Sequence, residues 1–308
     1  MIIYNHINTK NVIKKMETNL HKLIVDGESK YRGQLFTLCN KVLQKDVKII
    51  LLCGPSSAGK TTTANLIKSI LELKGRKVDV ISMDNFFIDL DKREKLPDGR
   101  LDFDSPNILN YPLMKECFTK FFTGEKVMFP EYNFKDSVCE LEKIPYKYDK
   151  NSIIVFEGIH ALNPLCLKNL GTENYYRVFV NATTSFKNSA KQMTTKDLRL
   201  LRRSIRDLNK RNTSMTRTQE MWDEVTTMED MYILPYANKV DFFVNSTHEY
   251  ELGVYKNEIN HFLETKQATP EEIPFKEILN DIAPIPKEVI PETSLMWEFI
   301  LRPEKKED

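Results

Sequence analysis

The chain has 308 residues, 45 Lys and Arg against 44 Asp and Glu, and 41% hydrophobic content. That content can fill a core, which excludes a wholly disordered chain. The net charge of +1 excludes a global basic footprint for nucleic acid.

Glycine is scarce, at 10 of 308 residues, under half the usual share of roughly 7%. Each glycine inside a pattern is therefore informative. The N-terminal stretch MIIYNHINTKNVIKK has no apolar h-region, and the longest uncharged run, Ile49 to Gly59, is too short to span a bilayer. The five cysteines (Cys39, Cys53, Cys117, Cys139 and Cys166) are odd in number and widely spaced. That argues against a disulfide framework or a zinc site, and for a reducing, cytoplasmic compartment. No membrane or nucleic-acid partner is expected. Homo-oligomerisation is left open.

Residues 1–45 read as an N-terminal helical extension, with two helices around a break at Asp26-Gly27. Leu20, Leu23 and Ile24 recur at helical spacing, as do Leu35, Leu38, Val42 and Leu43. Across residues 46–265 the texture changes. Val47–Cys53, Val78–Met83, Ile153–Phe156, Tyr175–Val180 and Val240–Val244 are short apolar runs separated by helical stretches. They predict an α/β fold with a parallel five-stranded sheet flanked by helices. Residues 126–148 are aromatic and proline-punctuated, and predict an inserted β-hairpin. Residues 185–232 are long and charged, and predict two helices projecting from the sheet as a lid. Residues 266–308 are Pro-rich and predict a meandering wrap with a short helix near Phe275–Ile282. That tail is expected to pack on the sheet edge or on a neighbouring subunit.

Gly54-Pro55-Ser56-Ser57-Ala58-Gly59-Lys60-Thr61 matches GxxxxGK[ST]. It follows a predicted strand and precedes a helical pattern carrying Leu66, Ile67, Ile70 and Leu71, the context that a phosphate loop (P-loop) requires. The glycines let backbone N–H groups turn inward around an anion, and the helix N-terminus adds partial positive charge. Lys60 would reach the β- and γ-phosphates, and the Thr61 hydroxyl would take a place on Mg²⁺. With Thr62, residues 54–62 form the expected nucleotide cradle of a P-loop NTPase fold.

Asp84 ends the second strand, expected beside the phosphate-loop strand, where a carboxylate could accept the proton of an attacking hydroxyl. Glu157 ends the third, where an acid holds Mg²⁺ through water. His160, just beyond, reads as structural. Arg199, Arg202, Arg203, Arg206 and Arg211 share the stretch RLLRRSIRDLNKR. On a closing helix, arginines can neutralise charge that develops on transferring oxygens.

Taken together, GPSSAGKTT (54–62), ISMDNFF (81–87), LDFDSPNIL (101–109), FPEYNF (129–134), IIVFEGIHAL (153–162) and RRSIRD (202–207) resemble the uridine kinase/phosphoribulokinase family of P-loop kinases. TSMTRTQEMW (213–222) and SLMWEFI (294–300) look closest to its bacterial-type nucleoside kinase branch. The resemblance implies ATP as donor with Mg²⁺, Asp84 as general base, and Lys60 and Arg206 as catalytic partners. It also implies Asp104 on ribose hydroxyls, Tyr132 on the substrate base and Arg203 on substrate and phosphates. The implied reaction is phosphorylation of the 5′-OH of a ribonucleoside such as uridine. One departure stands out. Uridine-cytidine kinases carry a hairpin histidine on the pyrimidine, whereas this chain reads Asn133-Phe134-Lys135-Asp136-Ser137. A kinase for pantothenate or a sugar phosphate, and a non-catalytic nucleotide-binding regulator, stay open as alternatives, as does GTP in place of ATP.

Overall fold

The computed structural model describes residues 5–95, 99, 102–147, 149–171 and 174–303. Leu101 of the LDFDSPNIL stretch, Tyr148 at the end of the predicted hairpin, and the terminal residues 1–4 and 304–308 lie outside the described residues. The chain opens with β1 (Asn5–Asn8) and α1 (Thr9–Gln44), then runs β2 (Ile49–Cys53), α2 (Lys60–Leu73), β3 (Lys77–Ser82) and α3 (Tyr111–Phe122). A hairpin of β4 (Lys126–Asn133) and β5 (Val138–Lys147) precedes β6 (Ser152–Glu157), α4 (Pro164–Lys168), β7 (Tyr175–Asn181), β8 (Thr184–Lys187) and β9 (Gln192–Met193). Then follow α5 (Thr195–Arg211), α6 (Met215–Glu220), α7 (Trp222–Tyr232), β10 (Phe242–Asn245), α8 (Glu251–Glu264) and α9 (Lys276–Leu279).

The five predicted strands form one parallel sheet in the order β10-β7-β2-β6-β3. All residues of β2 and β6 are buried, as apolar runs without polar alternation imply. Ile50 and Leu52 point into one core, and Ile49 and Leu51 into the other, the two-residue period of a strand covered on both faces. One expectation is corrected: β3 does not lie beside β2, because β6 is inserted between them. The chain leaves β2 to one side for β3 and β6, then crosses to the other for β7 and β10. The switch point therefore falls at β2, where such sheets open a ligand crevice.

The break in α1 also lies elsewhere than predicted. Asn19 leaves the helical region at φ −164° and ψ 87°, and its side chain accepts the Lys22 N–H at 2.9 Å, capping the next segment. Gly27 stays helical. A Cβ there would stand 3.2 Å from the Tyr250 ring, so the glycine serves close packing. The short strand β1, which the helical reading of residues 1–45 did not anticipate, pairs in parallel with β8, and β9 completes a small three-stranded sheet.

The β4–β5 hairpin forms as predicted, with a register shift between Phe129 and Glu131, at Pro130, where a missing N–H favours a bulge. Its inward Phe129 joins Phe86, Phe118 and Phe156 in edge-to-face contacts under one sheet face. On the other face, Leu35 and Leu38 of α1 share a core with Ile285, Leu295 and Phe299 of the tail. The tail thus packs on the chain's own core, and α9 sits where the short helix was expected.

Residues 185–232 differ from two projecting helices. They begin in β8 and β9 and continue as three helices, and α5 is packed into the core through Leu198, Leu201 and Ile205. Among the described residues, no helix is long and apolar enough to cross a membrane.

Candidate active site

The 54–61 loop leaves the carboxyl end of β2 and enters α2 at Gly59, whose φ of +93° suits glycine. Gly54 is held by space: a Cβ there would fall 2.2 Å from the Val180 carbonyl oxygen of β7. Ser57, at φ +56°, takes a left-handed conformation without being glycine, a strain that must be held by its surroundings.

The surroundings are arginines of α5. Arg199 and Glu229 of α7 form a buried, two-bonded ion pair, with both N···O distances 2.8 Å. Glu229 accepts the Ser56 N–H at 2.8 Å, and Arg199 donates to the Ser56 carbonyl at 3.0 Å. Arg202 pairs with Glu251 of α8 and donates to the Ser57 carbonyl at 3.3 Å. These two arginines, expected on a closing helix, are instead buried braces of the loop backbone. A guanidinium's forked donors suit that double task.

Arg203 and Arg206 are placed differently. Arg203 donates to the Ser56 hydroxyl at 2.7 Å. With Arg206 and Arg211 it surrounds the buried Asp207 carboxylate at 3.0–3.5 Å. Arg203 also attracts the Asp104 carboxylate, and Arg211, rather than Arg206, is the α5 arginine that most acts on Asp84.

The acids converge at the strand ends. Asp84 is the second residue of a 3₁₀ turn, Met83–Phe86, capped by Ser82, which accepts the Asp84 N–H at 3.3 Å. Burial pushes its carboxyl above the usual range, opposed by Lys60, Arg211 and Arg93. Burial likewise raises the Glu157 carboxyl to about 7, opposed by Lys60 and reinforced by the like charges of Asp84 and Glu298. The Thr61 hydroxyl faces Glu157 at 3.4 Å. Lys60 donates to the Pro55 carbonyl at 3.1 Å. A buried carboxylate crowded by like charge, with a hydroxyl beside it, is a hard-oxygen donor set that fits Mg²⁺. Among the described residues, no three His, Cys, Asp or Glu side chains form a metal cage.

Asp104 and Asp102 divide their labour. Asp102 builds the turn, accepting the N–H groups of Asp104 and Ser105 at 3.2 and 2.9 Å and the Ser105 hydroxyl. The half-buried Asp104 carboxylate accepts no hydrogen bond from the described residues, and burial raises its pKa. His160 is fully buried and bonds the Asp104 carbonyl through Nε2 at 2.8 Å, which fits its structural reading. Tyr132 is buried. Its hydroxyl accepts from Arg93 at 2.9 Å, and its ring meets Phe87, Phe134 and the Arg93 guanidinium.

Arg93, Asp207, Glu229, Glu251 and Glu298 take part in the site or brace it without having been singled out from sequence. Asp207 carried a signal, since it stands four residues after Arg203 on one helix. The others come from distant segments. Glu298, in the tail, accepts the Thr62 N–H at 3.0 Å.

A glycine-shaped loop at a central strand, with an acid just beyond β3 and another ending β6, defines an α/β phosphate-loop protein. Residues 49–252 match the Phosphoribulokinase / Uridine kinase family, and the chain belongs to that family. It is 28% identical over 188 residues to a uridine kinase of Ureaplasma urealyticum, covering 61% of this chain and 82% of that protein. It is 27% identical over 197 residues to uridine kinase-like protein 5 of Arabidopsis thaliana, covering 64% of this chain but 38% of that longer protein. Among solved structures it is similar to a possible uridine kinase from Bacillus stearothermophilus, with a TM-score of 0.47 and 14% identity over 70% of this chain and 100% of that one.

Proposed function

We propose that the protein is an ATP-dependent kinase that phosphorylates the 5′-OH of a ribonucleoside. The observation that carries this reading is the convergence of three groups. These are the phosphate loop, the Asp84 carboxylate raised by burial and facing Lys60, and the Asp104 carboxylate, which accepts no hydrogen bond from the described residues while Asp102 builds its turn. Residues 54–62 would hold the nucleotide phosphates, and Thr61 and Glu157 would hold Mg²⁺. MgATP supplies the γ-phosphoryl group. Asp84 would take the proton of the attacking hydroxyl, a role worth about 10²–10⁴-fold in rate. Asp104 would accept from two vicinal ribose hydroxyls, as a two-oxygen carboxylate can. Arg203 and Arg206 would stabilise charge on the transferring oxygens.

A panel of nucleosides with Mg²⁺ and ATP, read by ADP release, tests this. Transfer to at least one ribonucleoside is expected, and transfer only to other alcohols would overturn the nucleoside assignment. One observation favours a second reading, an acceptor that carries its own anion. Arg93 brings a nine-tenths-buried guanidinium to the acceptor side, among Phe87, Phe103 and Tyr132 and near Asp84. Including pantothenate and sugar phosphates in the panel separates the two.

A further inference from the structure

The tail motif SLMWEFI (294–300) has no part in the reaction just described, yet it reaches the phosphate loop. Ser294 caps a 3₁₀ turn, Leu295–Glu298, accepting the Met296 N–H at 3.2 Å. Leu295 is fully buried against Gly59, within 2.6 Å of where a Cβ would stand. Trp297 donates its indole N–H to the Pro291 carbonyl at 2.7 Å. From α5, Lys210 donates to the carbonyls of Trp297 and Glu298 at 2.7 and 3.1 Å. Asn209 donates to the Phe299 carbonyl at 3.4 Å. The turn is thus fixed on both sides, and its geometry aims one carboxylate.

That carboxylate accepts the Thr62 N–H at 3.0 Å, its one hydrogen bond among the described residues. Thr62 is the third residue of α2. First-turn N–H groups have no partner within their helix and stand at its positive end. At the end of a GxxxxGKT loop they are the groups offered to nucleotide phosphates. A carboxylate and a phosphate oxygen are alike in charge and in accepting such a hydrogen bond. They cannot share one N–H, and at close range they repel.

Resting on the donor assignment above, we propose that Glu298 is a built-in surrogate for a nucleotide phosphate. Its carboxylate holds the Thr62 N–H and swings aside when the donor seats. Glu298 therefore sets donor affinity, and it does so from a segment tied to α5.

Calorimetric titration of the full chain with MgATP, MgADP and adenosine tests this in wild type, Glu298→Gln and Glu298→Ala. Alanine removes both charge and acceptor, and should bind both nucleotides about 10-fold tighter. Glutamine keeps an acceptor and should fall between. Adenosine, which has no phosphate, should bind all three alike. Unchanged nucleotide affinity in both variants would make Glu298 a helix cap and no more, and weaker affinity would make it a positive part of the donor site. Either result overturns the proposal. If the alanine variant does not fold, the glutamine variant carries the test. If folded wild type and variants bind neither nucleotide, the donor assignment fails and the proposal falls with it. A wild type that binds while the variants bind no tighter refutes the surrogate role alone.

Discussion

Replacing Glu229 probes how the phosphate loop is held. Its side chain and that of Arg199 are 3% and 2% exposed and share two 2.8 Å bonds. The same pair occupies both the N–H and the carbonyl of Ser56. Glu229→Ala would leave a buried guanidinium without its partner, a loss of about 3–5 kcal/mol. The freed Ser56 N–H adds about 1–3 kcal/mol. The sum approaches the whole stability of an ordinary domain, about 5–15 kcal/mol, so the conservative Glu229→Gln is the better first variant. It keeps an acceptor for Ser56 and loses the charge, and should cost about 3 kcal/mol. Urea unfolding followed by circular dichroism reads the change as a shifted midpoint at constant slope. Nucleotide titration should show weaker binding as the loop loosens. A loss below about 1 kcal/mol in the alanine variant, the level of an exposed pair, would mean that the ion pair does not hold the loop.

Gly54→Ala places a methyl 2.2 Å from the Val180 carbonyl, and overpacking of this kind should lower stability by about 2–3 kcal/mol; an unchanged melting temperature would contradict the close approach. Burial holds His160 down at about 4 against its ordinary 6.5, so between those values the folded chain binds fewer protons than the unfolded one. Stability is therefore lost as pH falls from 6.5 to 4, and His160→Gln should remove about 3 kcal/mol of that loss in unfolding series across the window. Asp104→Asn should raise KM for ribonucleosides about 10-fold or more through a lost charged hydrogen bond, with a smaller change for 2′,3′-dideoxynucleosides; equal effects on both would remove the hydroxyl-binding role.

The sheet and the loop were legible because their signals are local. Five short apolar runs mark the five strands, and eight consecutive residues carry the loop motif with its strand and helix on either side. The α1 break was misplaced because Gly27 looks like punctuation, whereas its space is filled by Tyr250, and Asn19 supplies the cap. The α5 arginines share one local pattern but not one environment. Arg199 and Arg202 meet buried glutamates, while Arg203 and Arg206 meet Asp207. Helical spacing alone cannot distinguish these, since the deciding partners Glu229 and Glu251 lie on other helices. The contacts of Glu229 with Ser56 and of Glu298 with Thr62 span 173 and 236 residues of sequence, and only the packed fold brings them together.

If Asp84 serves phosphoryl transfer from a nucleotide held on residues 54–62, its replacement should spare binding and slow transfer. Single-turnover rates and nucleotide affinity measured together on Asp84→Asn test it most directly. Retained MgATP binding is expected, with transfer slowed about 10²–10⁴-fold. Transfer at a near-normal rate would contradict it.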